Sequence, residues 1–414
     1  MISFAYVALW IFIFALPWEN MIVITGVGTI SRLMGMFALG GAVLAAMVTG
    51  RLRRWRLFHV SALLFVIWSG WNIYRGEIYR LADHERTMSK FETYVQLFLV
   101  LWMIWELAPS IQRLRGLMLG YVLGAYVAAL ATVVVSRTAA ATMRRFSAEG
   151  FDPNDLAMIL ALGMPMAWYL GMTYRHLLLR WICRAYLPLG LVAIGLTGSR
   201  GGIVVGVVAL MVVPMTMTRL SPGKIAAAAI ALFGSGAIAV ANIPETTLQR
   251  LGTTGSEMEA GTFNGRMLIW KAGLEALTKK PAFGYGTGGF GRAIRPVLGY
   301  SRDAHNSYLA VLVEQGMLGF LLFSAMFLVV FLQVLNLPLL ERRFALILLA
   351  TLAIAMLPLT WDDQKQVWFI LALLVAFSEA MLHGKVALPT MQPVRRWVRR
   401  PYREPVAPGA RGHL

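Results

Sequence analysis

Two arginines in the second half of the chain lie where a cation could bind an anionic ligand. Arg200 is in LTGSRGG (196–202), between two apolar blocks, where a guanidinium is costly unless it reaches the membrane interface or pairs with an anion. The glycines beside Arg200 remove side chains that would block a ligand. Arg266, in NGRMLIW, could on its own be an ordinary solvated charge. The residue types leave two interpretations of Arg200, an anion site or an interfacial anchor.

His305, in the segment DAHNSYL, is suited to proton transfer. Histidine titrates near neutral pH and can take a proton from a hydroxyl group. A histidine followed by Asn306 and Ser307 can instead belong to a helix cap, and spacing alone favours the cap. Glu314 follows nine residues later, on the opposite face of a helix. We therefore expect Glu314 to pair with a basic or polar group of a neighbouring helix rather than with His305.

Two further polar segments carry weaker chemical signals. Asp362 and Asp363, in TWDDQKQVW, lie in a predicted short outer loop, where they could contact a sugar, but a solvated loop is the favoured interpretation. The run GYGTGGFG (284–291) formally matches the G-x-G-x-x-G pattern of dinucleotide-binding proteins, which requires a strand before it and a helix after it. An outer loop of a helical protein does not provide that context. The run instead predicts a tightly turned backbone that lets a large substrate approach.

The elements that must position these residues are apolar helices. Of the 414 residues, 58% are apolar and 14% are charged, and the apolar residues form long blocks. A helix needs about 20 apolar residues to cross the hydrocarbon core of a bilayer, so we predict an all-α, polytopic membrane protein with about 12 transmembrane helices. This composition excludes a soluble enzyme, a disordered chain and a single-anchor protein. The predicted spans are residues 2–18, 33–49, 57–74, 92–108, 114–136, 154–171, 181–197, 201–218, 224–242, 306–335, 344–358 and 366–382.

The distribution of basic residues predicts the orientation. Of the 38 Lys and Arg residues, 20 lie in the predicted inner loops and tail, 10 in the short outer regions and 8 in the long segment 243–304. Because long loops count little in the positive-inside rule, both termini are predicted to be cytoplasmic. The predicted transmembrane domain covers 1–384, with 243–304 as a large outer loop between spans nine and ten. A basic cytoplasmic tail covers 385–414.

The outer loop contains a predicted amphipathic helix. Met267, Trp270, Leu274 and Leu277 recur at helical spacing, and Pro281 ends the pattern. Such a helix either lies at the membrane surface or packs on the rim of the bundle, and the pattern does not distinguish these two positions.

Net charge and cysteine content limit the classes of partner and the kinds of site that the sequence predicts. The net charge of +18 resides in short loops, so we attribute it to topology and to contact with membrane lipids, and we expect no nucleic acid partner. Cys183 is the one cysteine, so the sequence predicts neither an internal disulfide nor a zinc site.

Four segments, taken together and in their order along the chain, resemble the O-antigen ligase and O-antigen polymerase superfamily. They are SRGG at a junction of spans, the R-x3-W helix from Arg266 to Trp270, the G-x-G-x-G-G-F turn, and HNSYL at the start of the next span. The resemblance is sharpest over residues 195–320. The segment RRFSAEGFDPND (144–155) resembles the family's loop before a mid-chain span.

The resemblance implies a GT-C-like glycosyltransferase of the bacterial inner membrane, with its active site and the loop 243–304 facing the periplasm. Its donor would be a glycan on undecaprenyl diphosphate. Arg200 and Arg266 would hold the diphosphate, because arginine pairs phosphate oxygens bidentately, and His305 would activate the acceptor hydroxyl in an inverting reaction without metal or cofactor. The expected contacts to diphosphate or glycan are Arg145, Gly201, Asn306 and Glu314.

The sequence does not identify the acceptor of the glycan. A ligase passes the glycan to a lipid A core, a polymerase passes it to another lipid-linked glycan, and a protein O-glycan transferase is a third possibility. A transporter or flippase of lipid-linked glycans is the alternative from another class. Transporters commonly have related halves and charged helices near the midplane, whereas here the halves are dissimilar and most ionisable residues lie at the ends of spans.

Overall fold

The computed structural model describes residues 2–26, 28–50, 52–75, 81–138, 145–217 and 265–386, together with the single residues 223, 234 and 237. The predicted span 224–242, the first part of the outer loop (243–264) and the tail from 387 fall outside these ranges. The helices in chain order are α1 (Ile2–Ala15), α2 (Ile30–Thr49), α3 (Leu57–Arg75), α4 (Leu81–Leu107), α5 (Ile111–Thr138), α6 (Pro153–Thr173), α7 (Leu177–Thr197), α8 (Arg200–Leu210), α9 (Val212–Thr216), α10 (Arg266–Lys279), α11 (Phe290–Leu298), α12 (Ser307–Leu335), α13 (Leu339–Ala355) and α14 (Lys365–Val386). A 3-10 helix (Leu16–Met21) and a two-stranded antiparallel hairpin, β1 (Val23–Ile24) and β2 (Gly28–Thr29), connect α1 to α2.

The apolar blocks form helices, as predicted. Each predicted span within the described ranges lies on helical residues, and the span predicted at 201–218 covers two helices, α8 and α9, which are separated at Met211. Seven helical stretches among the described residues are long and apolar enough to cross a membrane. This result supports a polytopic helical membrane protein, while the number of twelve spans stays a prediction. Helix α4 begins at Leu81, well before the predicted start at residue 92, because the polar segment LADHERTMSKFE continues the helix beyond its apolar part.

Helix α12 is interrupted at Gly316, and the glycine run 284–291 docks against the interruption. Gly316 adopts φ 67° and ψ −175°, which breaks the helical hydrogen bonding. The freed groups find partners in the preceding turn: Met317 N donates to Pro281 O (2.8 Å), and Gly286 N donates to Glu314 O (2.8 Å). Non-helical backbone in a membrane protein is tolerated where protein groups satisfy it in this way.

The same packing explains the glycines of the run. Gly284 has φ 70°, and a Cβ on it would lie 2.5 Å from the backbone oxygen of Glu314. Asn72 of α3 closes the junction by donating to Phe283 O (2.8 Å). The tight turn was predicted, but the group that approaches the Gly284 backbone most closely belongs to α12 of the protein itself.

Helix α10 packs against α11 and α12 in a small hydrophobic cluster separate from the main core of the bundle. Ile269, Ala272 and Ala276 supply its buried side, whereas Leu274, predicted on the apolar face, is 52% exposed. The buried side uses small residues because α10 approaches its neighbours closely. A Cβ on Gly273 would lie 3.2 Å from side-chain atoms of both Leu309 and Phe290.

Several connections meet at one end of the bundle. Phe146 N donates to Leu196 O (3.1 Å), so the segment before α6 lies against the end of α7. Ser307 N donates to Met356 O (3.0 Å), which joins the start of α12 to the end of α13. The N-termini of α6, α8 and α12 therefore lie at the end of the bundle predicted to face outward.

Candidate functional site

His305 lies immediately before α12, in an unusual backbone conformation. Asn306 is the N-cap residue, and its side-chain oxygen accepts a hydrogen bond from Leu309 N (3.0 Å). The capping role predicted for this segment therefore belongs to Asn306. Among the described non-glycine residues, His305 alone has a positive φ, at 45°. Within the part of the chain that the structure describes, its half-buried imidazole makes no hydrogen bond to protein.

Arg266 lies close enough to His305 for its charge to act on the imidazole. Burial lowers the pKa of His305 below its ordinary value of 6.5, the positive charge of Arg266 lowers it further, and Asp303 and Asp152 oppose this effect. Burial also lowers the pKa of Arg266, and the charge of Asp152 raises it. Burial and the charge of Arg266 therefore both favour the uncharged form of the His305 imidazole.

Asp152 was not identified as a site residue from the sequence. It caps α6 by accepting a hydrogen bond from Asn154 N (2.7 Å), and its charge acts on both Arg266 and His305. The available signal was the order Asp-Pro-Asn, because an N-cap aspartate followed by proline at the first helical position marks the start of a helix.

Arg145 organises the approach to Arg200. Its Nη2 donates to Asn154 Oδ1 (2.8 Å), and its Nε donates to Thr197 O (3.0 Å). Asn154 Oδ1 also accepts from Ser199 Oγ (3.0 Å), and Ser199 is the N-cap residue of α8. Arg200 is the next residue. This network joins the starts of α6 and α8 and places Arg200 on the first turn of α8, where the helix dipole favours anions.

The glycines after Arg200 have a packing role that the sequence did not reveal. A Cβ on Gly201 would lie 3.1 Å from Met158 Cε and 3.3 Å from Pro358 Cγ. A Cβ on Gly202 would clash with Ala157. These glycines therefore allow α8 to approach α6 and the loop after α13, and the predicted contact of Gly201 with substrate stays a prediction.

The loop between α13 and α14 connects the Arg200 side of the site to the His305 side. Pro358 packs beside Gly201 at one end of this loop. Ser307, two residues after His305, donates through Oγ to Leu359 O (2.7 Å) and accepts from Trp361 N (2.8 Å). The connection between Arg200 and His305 is therefore indirect and runs through residues 358–361.

Glu314 belongs to a second, buried cluster, and it pairs with a neighbouring helix as expected. Lys90 Nζ of α4 lies 2.8 Å from Glu314 Oε2 and 2.9 Å from Asp362 Oδ2. Glu314 also accepts backbone hydrogen bonds from Gly288 N (3.0 Å) and Phe290 N (3.3 Å). Both of its carboxylate oxygens are engaged by protein donors, so Glu314 holds the glycine turn and the start of α11.

The expectation of a solvated loop at Asp362 is wrong. Asp362 is fully buried, and its Oδ2 accepts from the Tyr94 hydroxyl as well as pairing with Lys90. Burial raises the pKa of the adjacent Asp363 to about 6, against the charge of Lys90 and with the help of Asp362 and Glu314. Sequence reasoning missed this cluster because Lys90 lies on the polar extension of α4, which apolar patterning does not detect.

Comparison with known proteins points to the second half of the chain. A family model described as O-antigen ligase matches residues 185–324, about a third of the chain. The match runs from α7 into α12 and includes Arg200, Arg266 and His305. No curated protein matches the chain. Among the described residues, no group of three or more His, Cys, Asp or Glu side chains is placed to hold a metal ion.

Proposed function

We propose that the chain is a membrane glycosyltransferase of the O-antigen ligase and polymerase superfamily, a proposal that the family match over residues 185–324 supports. It transfers a glycan from undecaprenyl diphosphate to an acceptor hydroxyl at the periplasmic face of the bacterial inner membrane. One observation carries the proposal. The half-buried imidazole of His305 makes no hydrogen bond to the described protein, and burial and the charge of Arg266 both lower its pKa.

In this proposal His305 acts as the general base. An uncharged imidazole can take the proton from an acceptor hydroxyl as the oxygen attacks the anomeric carbon. The bond from that carbon to the diphosphate breaks on the opposite face, so the reaction inverts the configuration, as in inverting glycosidases. A pKa below 6.5 keeps the imidazole in its basic form at the pH of a neutral medium.

Arg266 and Arg200 bind the diphosphate and stabilise the charge that develops on it. A diphosphate needs cations more than it needs an acid, because it leaves as a stable anion. A guanidinium stays charged and pairs phosphate oxygens bidentately. For Arg200, the position on the first turn of α8 supports this role, since helix N-termini attract anions.

The other predicted contacts receive positioning roles. Arg145 is engaged by Asn154 and Thr197, and Glu314 is engaged by Lys90 and two backbone N–H groups. Asn306 caps α12. We propose that these residues hold Arg200, the glycine turn and His305 in place rather than binding the glycan.

The acceptor decides between ligase and polymerase, and an assay with defined substrates tests both. The purified protein is reconstituted in liposomes with an undecaprenyl-diphosphate oligosaccharide, with or without a lipid A core. The variant His305→Ala is compared with His176→Ala, which changes an exposed histidine at the start of α7. A ladder of repeat multiples indicates a polymerase, and a glycosylated lipid A core indicates a ligase.

Either product has to disappear in His305→Ala and persist in His176→Ala if the proposal is correct. Movement of the donor across the bilayer without any glycosidic product would instead indicate a flippase and would overturn the proposal.

A further inference from the structure

Helix α10 presents two polar groups to the His305 segment. Arg266 and Trp270 are four residues apart, so they lie on the same face of the helix, one turn apart. The indole Nε1 of Trp270 donates a hydrogen bond to Ala304 O (2.9 Å), the carbonyl of the peptide that precedes His305. The charge of Arg266 acts on the imidazole of His305 itself.

The backbone on both sides of His305 is held, whereas its side chain is not. On the N-terminal side, Ala304 is buried and its carbonyl is bound by Trp270. On the C-terminal side, Ser307 N is bound by Met356 O at 3.0 Å. Because the imidazole makes no hydrogen bond to the described protein, the direction of the ring depends on the backbone conformation at φ 45°. Few L-residues adopt this conformation without support from neighbouring groups.

We propose that Trp270 is a positioning residue for His305, whose indole N–H fixes the Ala304 carbonyl and thereby keeps the imidazole beside Arg266. The inference rests on the proposed function for its catalytic meaning. This role gives a physical reason for the R-x3-W spacing. One helical turn separates Arg266 from Trp270, so the cation and the indole N–H both reach the segment that contains His305.

Loss of the hydrogen bond has two consequences. The peptide between Ala304 and His305 becomes free to rotate, and the left-handed conformation relaxes toward negative φ. The imidazole then turns away from Arg266 and toward solvent, so burial and the charge of Arg266 lower its pKa less than before. A misplaced base also slows proton transfer, because misplacement by about 1 Å can reduce the rate of a reaction about a hundredfold.

The test measures the protonation of His305 itself and does not depend on glycan transfer. Histidine labelled with 13C at Cε1 is incorporated into the full chain in nanodiscs, and the His305 signal is assigned among the 6 histidines by its loss in His305→Gln. The titration midpoint of His305 is measured in the native protein, in Trp270→Phe, and in Trp181→Phe as a control. Trp181 is 60% exposed and lies on α7.

We expect a midpoint below 6.5 in the native protein and in Trp181→Phe, and a rise toward 6.5 in Trp270→Phe. Transfer should fall by about tenfold to a hundredfold in Trp270→Phe. If that variant does not fold, Trp270→Tyr, which keeps a large ring and lacks the indole N–H, takes its place. An unchanged midpoint in a folded variant, with transfer within threefold of native, would overturn the inference.

The same experiment separates the inference from the proposed function. A shifted midpoint in a protein that makes no glycosidic product would leave the positioning of His305 standing and reject the glycosyltransferase. Glycan transfer that depends on His305 but not on Trp270 would support the glycosyltransferase and reject the positioning role of Trp270.

Discussion

Two polar clusters lie at the same end of the bundle, and their central groups, Glu314 and His305, differ in how far protein groups bond them. In the buried cluster, Lys90 lies between Glu314 and Asp362, and both oxygens of Glu314 are engaged by protein donors. In the half-exposed cluster, Arg266 and Asp152 act on His305, whose imidazole has no hydrogen-bond partner among the described residues.

This difference indicates which residues hold the structure in place and which can react with a substrate. A polar group that is fully bonded to protein has little capacity left for a substrate, and its removal leaves buried partners unsatisfied. A group held by its backbone but with a free side chain can bind and react. We therefore assign a role in stability to the buried cluster and a role in catalysis to the half-exposed cluster.

The largest effect is expected at His305. His305→Ala should reduce the rate of glycan transfer by about 10²- to 10⁴-fold, the usual contribution of a general base. Thermal unfolding should change little, because the imidazole makes no hydrogen bond to the described protein. Initial rates of His305→Ala and His176→Ala, normalised to folded protein, provide the measurement. A decrease of less than tenfold would remove the role of base from His305.

Next in size is the effect of Lys90 on stability. Lys90→Met removes the cation between Glu314 and Asp362 and leaves two buried carboxylates without their ion pair. Breaking a buried pair in this way costs about 3–5 kcal/mol, so the melting temperature in detergent should fall steeply. Lys279→Met is the control, because its pair with Glu275 is exposed. Equal melting temperatures for the two variants would show that the buried cluster does not stabilise the fold.

A smaller effect is expected from the geometry of Arg200. If it binds the diphosphate bidentately, Arg200→Lys should be nearly as damaging as Arg200→Ala, although lysine keeps the charge. Loss of charged hydrogen bonds of about 1.5–3 kcal/mol corresponds to a decrease in rate of about ten- to a hundredfold. Rates at saturating and limiting donor should be compared for both variants. Full activity of Arg200→Lys would mean that the position supplies only a diffuse positive charge.

The buried cluster also predicts how stability depends on pH. The pKa of Asp363 is raised from 3.8 to about 6, so the folded state binds its proton more tightly than the unfolded state does. This contribution to stability is complete below about 3.8 and is lost as the pH rises through about 6. Asp363→Asn stays neutral, so its melting temperature relative to native should be higher at pH 8 than at pH 5.

Asp303→Asn, which changes an exposed carboxylate, is the control for that titration. A difference between Asp363→Asn and native that is the same at both pH values would contradict the assignment.

Much of the fold follows from the sequence, because apolar blocks in a membrane protein have to become helices. The helix from Arg266 and the segment at His305 were also predictable, since their residue types and their order in the chain carry the family resemblance. The partner of Glu314 was predictable only as a class. A buried carboxylate requires a donor, but its identity as Lys90 depends on a contact between residues 224 positions apart.

Three features required the structure because local patterns do not contain them. The start of α4 at Leu81 lies in a polar segment, where helix formation depends on packing rather than on apolar periodicity. The buried side of α10 uses Ala272 and Ala276, since close approach to α11 and α12 favours small side chains over leucine. Asp362 is buried because distant residues, Lys90 and Tyr94, surround it.

The pH dependence of glycan transfer at limiting donor tests the role of His305 as a base. An uncharged His305 acting as a base predicts that kcat/KM is constant above about pH 7 and falls as the pH decreases, with a midpoint below 6.5. This decrease of kcat/KM at low pH should be absent from the residual activity of His305→Ala. A native rate that does not change from pH 5 to pH 7, or a decrease at low pH that persists unchanged in His305→Ala, would show that His305 is not the base.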